Sequence, residues 1–131
     1  MYYKACKKGN PNCLLALNNG VFDGGIAVGY EKEDFTCGER NYFDFIPTQR
    51  FYGYAQAHIL APLGNSDSGI GQTWGSFGCG YTKEFLADYV EKVYRAGGVV
   101  SIDIGIYRDG KFDEEQKETL KYVGERLRRV Q

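Results

Sequence analysis

Apolar residues are most ordered in the last third of this chain. From Thr82 onward Phe85, Leu86, Tyr89, Val90 and Val93 recur at helical spacing behind a good N-cap, which predicts an amphipathic helix. Gly97-Gly98 closes it. The run Val99-Val100-Ser101-Ile102-Asp103-Ile104 follows, nearly continuous in apolar side chains, the pattern of a strand buried on both faces of a parallel sheet. A turn at Arg108-Asp109-Gly110 leads to Asp113, which opens a second helix from about Glu114 to Val130 with a charged, solvated face. A strand set between two helices is the α/β signature.

Upstream the runs are shorter. Met1 to Lys8 reads as the end of a helix, stopped by Gly9-Asn10-Pro11. Short strands are expected at Cys13–Leu17, Asp34–Cys37 and Ala55–Leu63. Between them lie a glycine-rich loop (Val21–Lys32), an aromatic-rich loop (Tyr42–Tyr54) and, after the third strand, a long Gly/Ser loop (Gly64–Gly80). Short strands followed by long polar loops are the asymmetry of a (β/α)8 TIM barrel, whose catalytic loops follow the strand C-termini. A whole barrel takes about 250 residues. The fold expected is therefore α/β, a partial (β/α)8 TIM barrel of about four C-terminal βα units.

Composition narrows the classes. At 131 residues the chain is one domain at most, and 43% hydrophobic residues suffice for a core. A net charge of -1 gives no electrostatic reason to expect nucleic acid, and no apolar run approaches the roughly 20 residues of a membrane helix. No basic segment followed by an apolar stretch stands at the start, so no secretory signal is expected; the compartment stays open. Cys6, Cys13, Cys37 and Cys79 show no CxxC spacing, and His58 is the sole histidine. Neither a metal centre nor a Ser-His-Asp triad is expected, nor any cofactor.

Several segments in order resemble the C-terminal half of the catalytic barrel of glycoside hydrolase family 29, the α-L-fucosidases and their relatives. They are Trp74-Gly75, Gly80-Tyr81, Gly97-Gly98-Val99-Val100-Ser101-Ile102-Asp103-Ile104-Gly105, Asp109-Gly110 and Glu114-Glu115-Gln116. The chain departs from the family pattern at Asp103 (usually Asn), Ile106 (usually Pro) and Asp113 (usually Pro), which points to a divergent branch. Upstream, Asp34-Phe35-Thr36-Cys37-Gly38-Glu39 resembles the family segment whose Glu is the general acid/base, matched here by Glu39.

The resemblance implies retaining hydrolysis of α-L-fucosides or related glycosides, which uses two carboxyl groups about 5–5.5 Å apart. It puts the attacking Asp on a strand ahead of Met1, so this chain is expected to hold the acid/base without the nucleophile and to be inactive alone. Asp23, the nearest carboxylate, follows the wrong strand. Substrate contacts are expected from Trp74, stacking on a sugar face, and from His58, Asn18 and Asn19. The bland alternatives are core packing for Trp74, a satisfied interior histidine, turn formation by the asparagines, and Glu39 paired with Arg40 or Arg50. A half barrel would expose an inner face and two edges, so the missing N-terminal half-barrel or self-association would be the partner. The alternative function is a non-catalytic carbohydrate-binding or scaffold remnant. An unrelated small α/β protein would need tighter loops than those at Val21 and Gly64.

Overall fold

The computed structural model describes residues 1–65 and 73–130. Among these are three helices, α1 (Tyr2–Gly9), α2 (Lys83–Arg95) and α3 (Glu114–Arg128), and four strands, β1 (Phe51–Tyr52), β2 (Ala55–Gln56), β3 (His58–Pro62) and β4 (Val99–Asp103). β1 and β2 form a two-residue antiparallel hairpin. β3 and β4 pair in parallel, His58 opposite Val99 through Pro62 opposite Asp103. A parallel pair needs a crossover. α2 supplies it, making β3–α2–β4 a single βαβ unit.

Each helix forms for the reason its sequence carries. The Thr82 side chain accepts from the Phe85 amide and caps α2, which buries Leu86, Tyr89, Val90 and Val93 along one stripe. Asp113 does the same for α3 by accepting from Gln116 N. α3 buries Gln116, Thr119 and Val123. These stripes meet Ile59 and Ala61 from β3, Leu63 just after it, and Phe43, in the core. Full burial of such a side chain contributes about 1.5–3 kcal/mol. Arg126 bridges the two helices through Asp88 and Glu91.

The expected half barrel is not what forms. Two two-stranded sheets and three helices are too little for four βα units, and only the α/β mixture stands. The reason lies in residues 13–40. The segment at Cys13–Leu17 makes no ladder, because carboxylate side chains take its amides: Leu15 N donates to Asp34 Oδ2 (2.9 Å) and Leu17 N to Glu33 Oε2 (3.0 Å). The segment from Asp34 to Glu39 forms no continuous ladder: its strand pairing is limited to two isolated parallel bridges, Phe35 to Gln56 of β2 and Glu39 to Leu60 of β3, and the Thr36 side chain bonds to His58 between them. Among the described residues between 10 and 82 no helix stands to cover a further strand.

β4 also differs from its reading. Its apolar run is buried on one face only, with Val99 48% exposed and Ser101 exposed, while Val100 and Ile102 pack on the core. Among the described residues it is an edge strand, and α2 is the helix packed against it. The Ala55–Leu63 strand is broken in two at Ala57, the hairpin β1–β2 lies partly in the expected aromatic loop, and residues 66–72 of the expected Gly/Ser loop are outside the described residues.

Candidate functional site

Loops leaving the carboxyl ends of parallel segments converge, and polar groups gather there. Glu39 ends the bridge-forming segment beside Leu60. Asn18 follows the coil at Cys13–Leu17, and its Nδ2 donates to Glu39 Oε2 at 2.6 Å, while its Oδ1 accepts from Gly20 N at 2.7 Å. One side chain therefore both shapes the turn and aims the carboxylate. Asn19 and Glu39 line one crevice of about 10 Å³ together with Leu17, Phe22 and Cys37, room for roughly one water.

Arg40 takes no part in holding Glu39. It is 2% exposed and turns the other way, to Asp44 and to the carbonyls of Phe22, Asp23 and Gly25, so it staples the glycine-rich loop that contains Asp23. Its guanidinium also lies 5.1 Å from the Phe45 ring centroid.

Trp74 sits half-buried on the loop after β3 and donates its indole N–H to Asn41 Oδ1 at 3.4 Å, two residues along the chain from Glu39. That loop is well anchored. Gly75 N donates to Asp103 Oδ2 (2.6 Å) at the end of β4. Gln116, fully buried, donates to the carbonyls of Ser76 (2.8 Å) and Gly78 (2.6 Å) and accepts from Gly105 N (2.7 Å). Asp113 Oδ2 accepts from Gly78 N. Asp103 is thus committed to the Trp74 loop, and no bond joins it to His58.

His58 lies apart from this rim. It is 8% exposed, and both ring nitrogens are engaged within the protein: Nδ1 faces the Thr36 and Cys37 carbonyls, and Nε2 faces Ser101 Oγ. It lines a separate cavity of about 330 Å³ with Leu14, Phe35, Val99 and Ser101. The structure therefore brings Glu39, Asn18 and Asn19 together, sets Trp74 on the adjoining loop, and holds His58 elsewhere.

Two buried groups were given no site role from the sequence, although Gln116 stands in the Glu114-Glu115-Gln116 segment. Glu33, 1% exposed, accepts from Leu17 N and Gly29 N and so builds the approach to Asn18. Gln116 builds the seat of the Trp74 loop. The available signal for Gln116 was its place one turn before Thr119 and two before Val123 on the buried side of α3; Glu33 sits in a charged run, Glu31-Lys32-Glu33-Asp34, that looks like solvated surface.

Ionisation follows the local surroundings. Burial raises the Cys37 and Cys79 thiols, which keeps them protonated and unreactive. Burial likewise pushes the Tyr89 phenol far up; its hydroxyl donates to Phe45 O at 2.6 Å. Among the described residues no group of three His, Cys, Asp or Glu could hold a metal, and no helix is long and apolar enough to cross a membrane.

No family model, no curated protein and no solved structure matches this chain.

Proposed function

We propose that this chain carries the acid/base side of a retaining, α-L-fucosidase-like glycoside hydrolase site, with Glu39 as proton donor and Trp74 against the sugar. The Asn18–Glu39 bond at 2.6 Å is the observation that supports it most. A carboxyl that must first protonate a leaving oxygen and then activate water has to be held in one orientation while staying within reach of solvent. Glu39 meets both conditions: it is half-buried, and an amide fixes one oxygen. The ordered motif from Trp74 to Gln116 supports the same reading. The Trp74 loop is tied by Gln116, a residue of that motif, and by Asp103 and Asp113, two positions at which the chain departs from it. The resemblance assigns the attacking role to no carboxylate among these residues.

The lone tryptophan makes the test direct. Titration of the 131-residue chain with L-fucose is expected to give a saturable change in Trp74 fluorescence, weakened about tenfold in Asn18→Ala, the worth of one hydrogen bond to a charged group. No saturable response, or the same response to glycerol, would overturn the reading. The chain alone is expected to hydrolyse no aryl α-L-fucoside. Turnover that disappears in Glu39→Gln would mean that the nucleophile lies within these residues after all.

A further inference from the structure

We infer that His58 and Ser101 form a second, independent site: a base–nucleophile pair able to accept an acyl group from a small, uncharged ester. Nothing in it depends on the reading of Glu39.

The tautomer is set by the surroundings. His58 Nδ1 lies 3.0 Å from the Thr36 carbonyl oxygen and 2.9 Å from that of Cys37. Carbonyl oxygens only accept, so Nδ1 carries the proton. Nε2 of the neutral ring then offers a lone pair, and Ser101 Oγ, 2.8 Å away, donates to it. This is the arrangement that activates a serine: a hydroxyl bonded to a base whose far nitrogen is held by a third group, here two backbone carbonyls in place of a carboxylate.

The base is held firmly. Thr36 Oγ1 accepts from His58 N (2.9 Å) and donates to His58 O (3.0 Å). The Phe35 ring stands edge-on to the imidazole at 5.3 Å and 83°. Gly38, at φ 63°, lets its backbone press against the His58 carbonyl, where a Cβ would come within 1.7 Å. The nucleophile, by contrast, is open to solvent.

The pair opens on the cavity of about 330 Å³ beside β3 and β4. That is near the lower limit for a small-molecule site. Leu14, Phe35 and Val99 make its walls apolar, and its one carboxylate, Asp34, is committed to Lys7 and to Leu15 N. A short acyl chain or a single aryl ring fits this chemistry. β4 supplies a donor as well. Val99 N donates to Ala57 O and Leu63 N to Asp103 O, so strand alternation turns the Ile102 amide away from β3, on the free edge next to Ser101. An amide directly after the nucleophile is the usual place for a donor to a developing oxyanion.

In the step proposed, Ser101 Oγ bonds to the ester carbonyl carbon as its proton passes to His58 Nε2. The bond to the leaving oxygen breaks, and that oxygen takes the proton from His58. Water then attacks the acyl-serine, its proton returning through His58 to Oγ, so that ester and water give acid and alcohol.

A fluorophosphonate probe tests the pair on the chain as it stands, since O–P bond formation with loss of fluoride uses the same serine and base. Peptide mapping is expected to find the adduct on Ser101, formed about 100-fold faster in the native than in the urea-unfolded chain, the low end of what a positioned base contributes. Ser101→Ala, at an exposed position, removes the adduct, and His58→Gln slows it about as much as unfolding does. Equal labelling of Ser101 in native and unfolded chain would overturn the proposal without recourse to any variant. So would an unchanged rate in a His58→Gln chain that retains the native far-UV circular dichroism.

Discussion

The described residues from 58 to 128 and residues 13–50 of this chain are stabilised in different ways. The first region is regular: two parallel strands, a crossover helix and a second helix meet through apolar stripes. The second contains no helix and only isolated bridges, yet its buried groups include Glu33, Thr36 and Arg40. There, side-chain carboxylates and a guanidinium hold backbone amides and carbonyls that a sheet would otherwise pair. Buried backbone groups must find partners, and the chain has met that demand by ladder in one region and by side chain in the other. The sensitivity to substitution should therefore differ in kind between them.

The largest effect is expected where the regions join. Gly38→Ala puts a Cβ 1.7 Å from the His58 carbonyl oxygen at a positive φ, so the irregular segment must leave β3 altogether. The expected loss is about 4 kcal/mol or more in urea unfolding. Gly110→Ala, also at positive φ but in open space, provides the contrast, with a loss of about 1 kcal/mol. Near-equal losses would mean that the two regions do not bear on each other.

Next comes the regular region. Leu86 is fully buried between α2 and the strand pair, and Leu86→Ala is expected to cost about 3 kcal/mol by transfer and cavity together. A loss under 1 kcal/mol in thermal or urea melts would contradict the core described.

In the irregular region Glu33→Gln is nearly isosteric but replaces an acceptor oxygen with an NH2 group facing an amide. The expected loss is about 2 kcal/mol. A neutral outcome would show that Leu17 N and Gly29 N find other partners.

The smallest effect concerns Lys7 and Asp34, joined at 3.0 Å. The hydrogen bond from Lys7 holds the Asp34 carboxyl below its ordinary value. A depressed carboxylate contributes stability that is fully present above the unfolded value, about 3.9, and is lost as pH falls through the lower folded value. Both groups are near solvent, so the effect is small and screened by salt. Asp34→Asn should flatten the dependence of the melting temperature on pH below about 4, where unfolded aspartate takes up its proton. An unchanged acid limb would place the sensitivity elsewhere.

The same contrast explains how much was legible beforehand. α2, β4 and α3 stand where helical spacing, Thr82, Asp113 and Gly97-Gly98 put them, within a residue or two, because burial of an apolar stripe is a local pattern. That no barrel forms was not legible. Cys13–Leu17 has a strand's composition, but Glu33 and Asp34, some 16 to 19 residues away, bind its amides, and no periodicity reports a contact of that range. β4 was overread for a related reason: an apolar run does not say whether a partner covers its second face. Of the rim, Glu39 and Asn18 were both named in advance, yet their bond depends on two loops meeting, which spacing cannot give. Ser101, a polar residue interrupting an apolar strand, was visible, but its significance rests on the register that sets it next to His58.

Native-state hydrogen exchange resolved by residue tests the central claim most directly, that side chains replace a ladder in residues 13–40. The Leu15 and Leu17 amides should be protected in the native chain, and Glu33→Gln should release Leu17 while Ile59 and Ala61 in β3 stay protected. Contradiction would take one of two forms: Leu17 exchanging freely in the unaltered chain, or β3 losing protection together with Leu17.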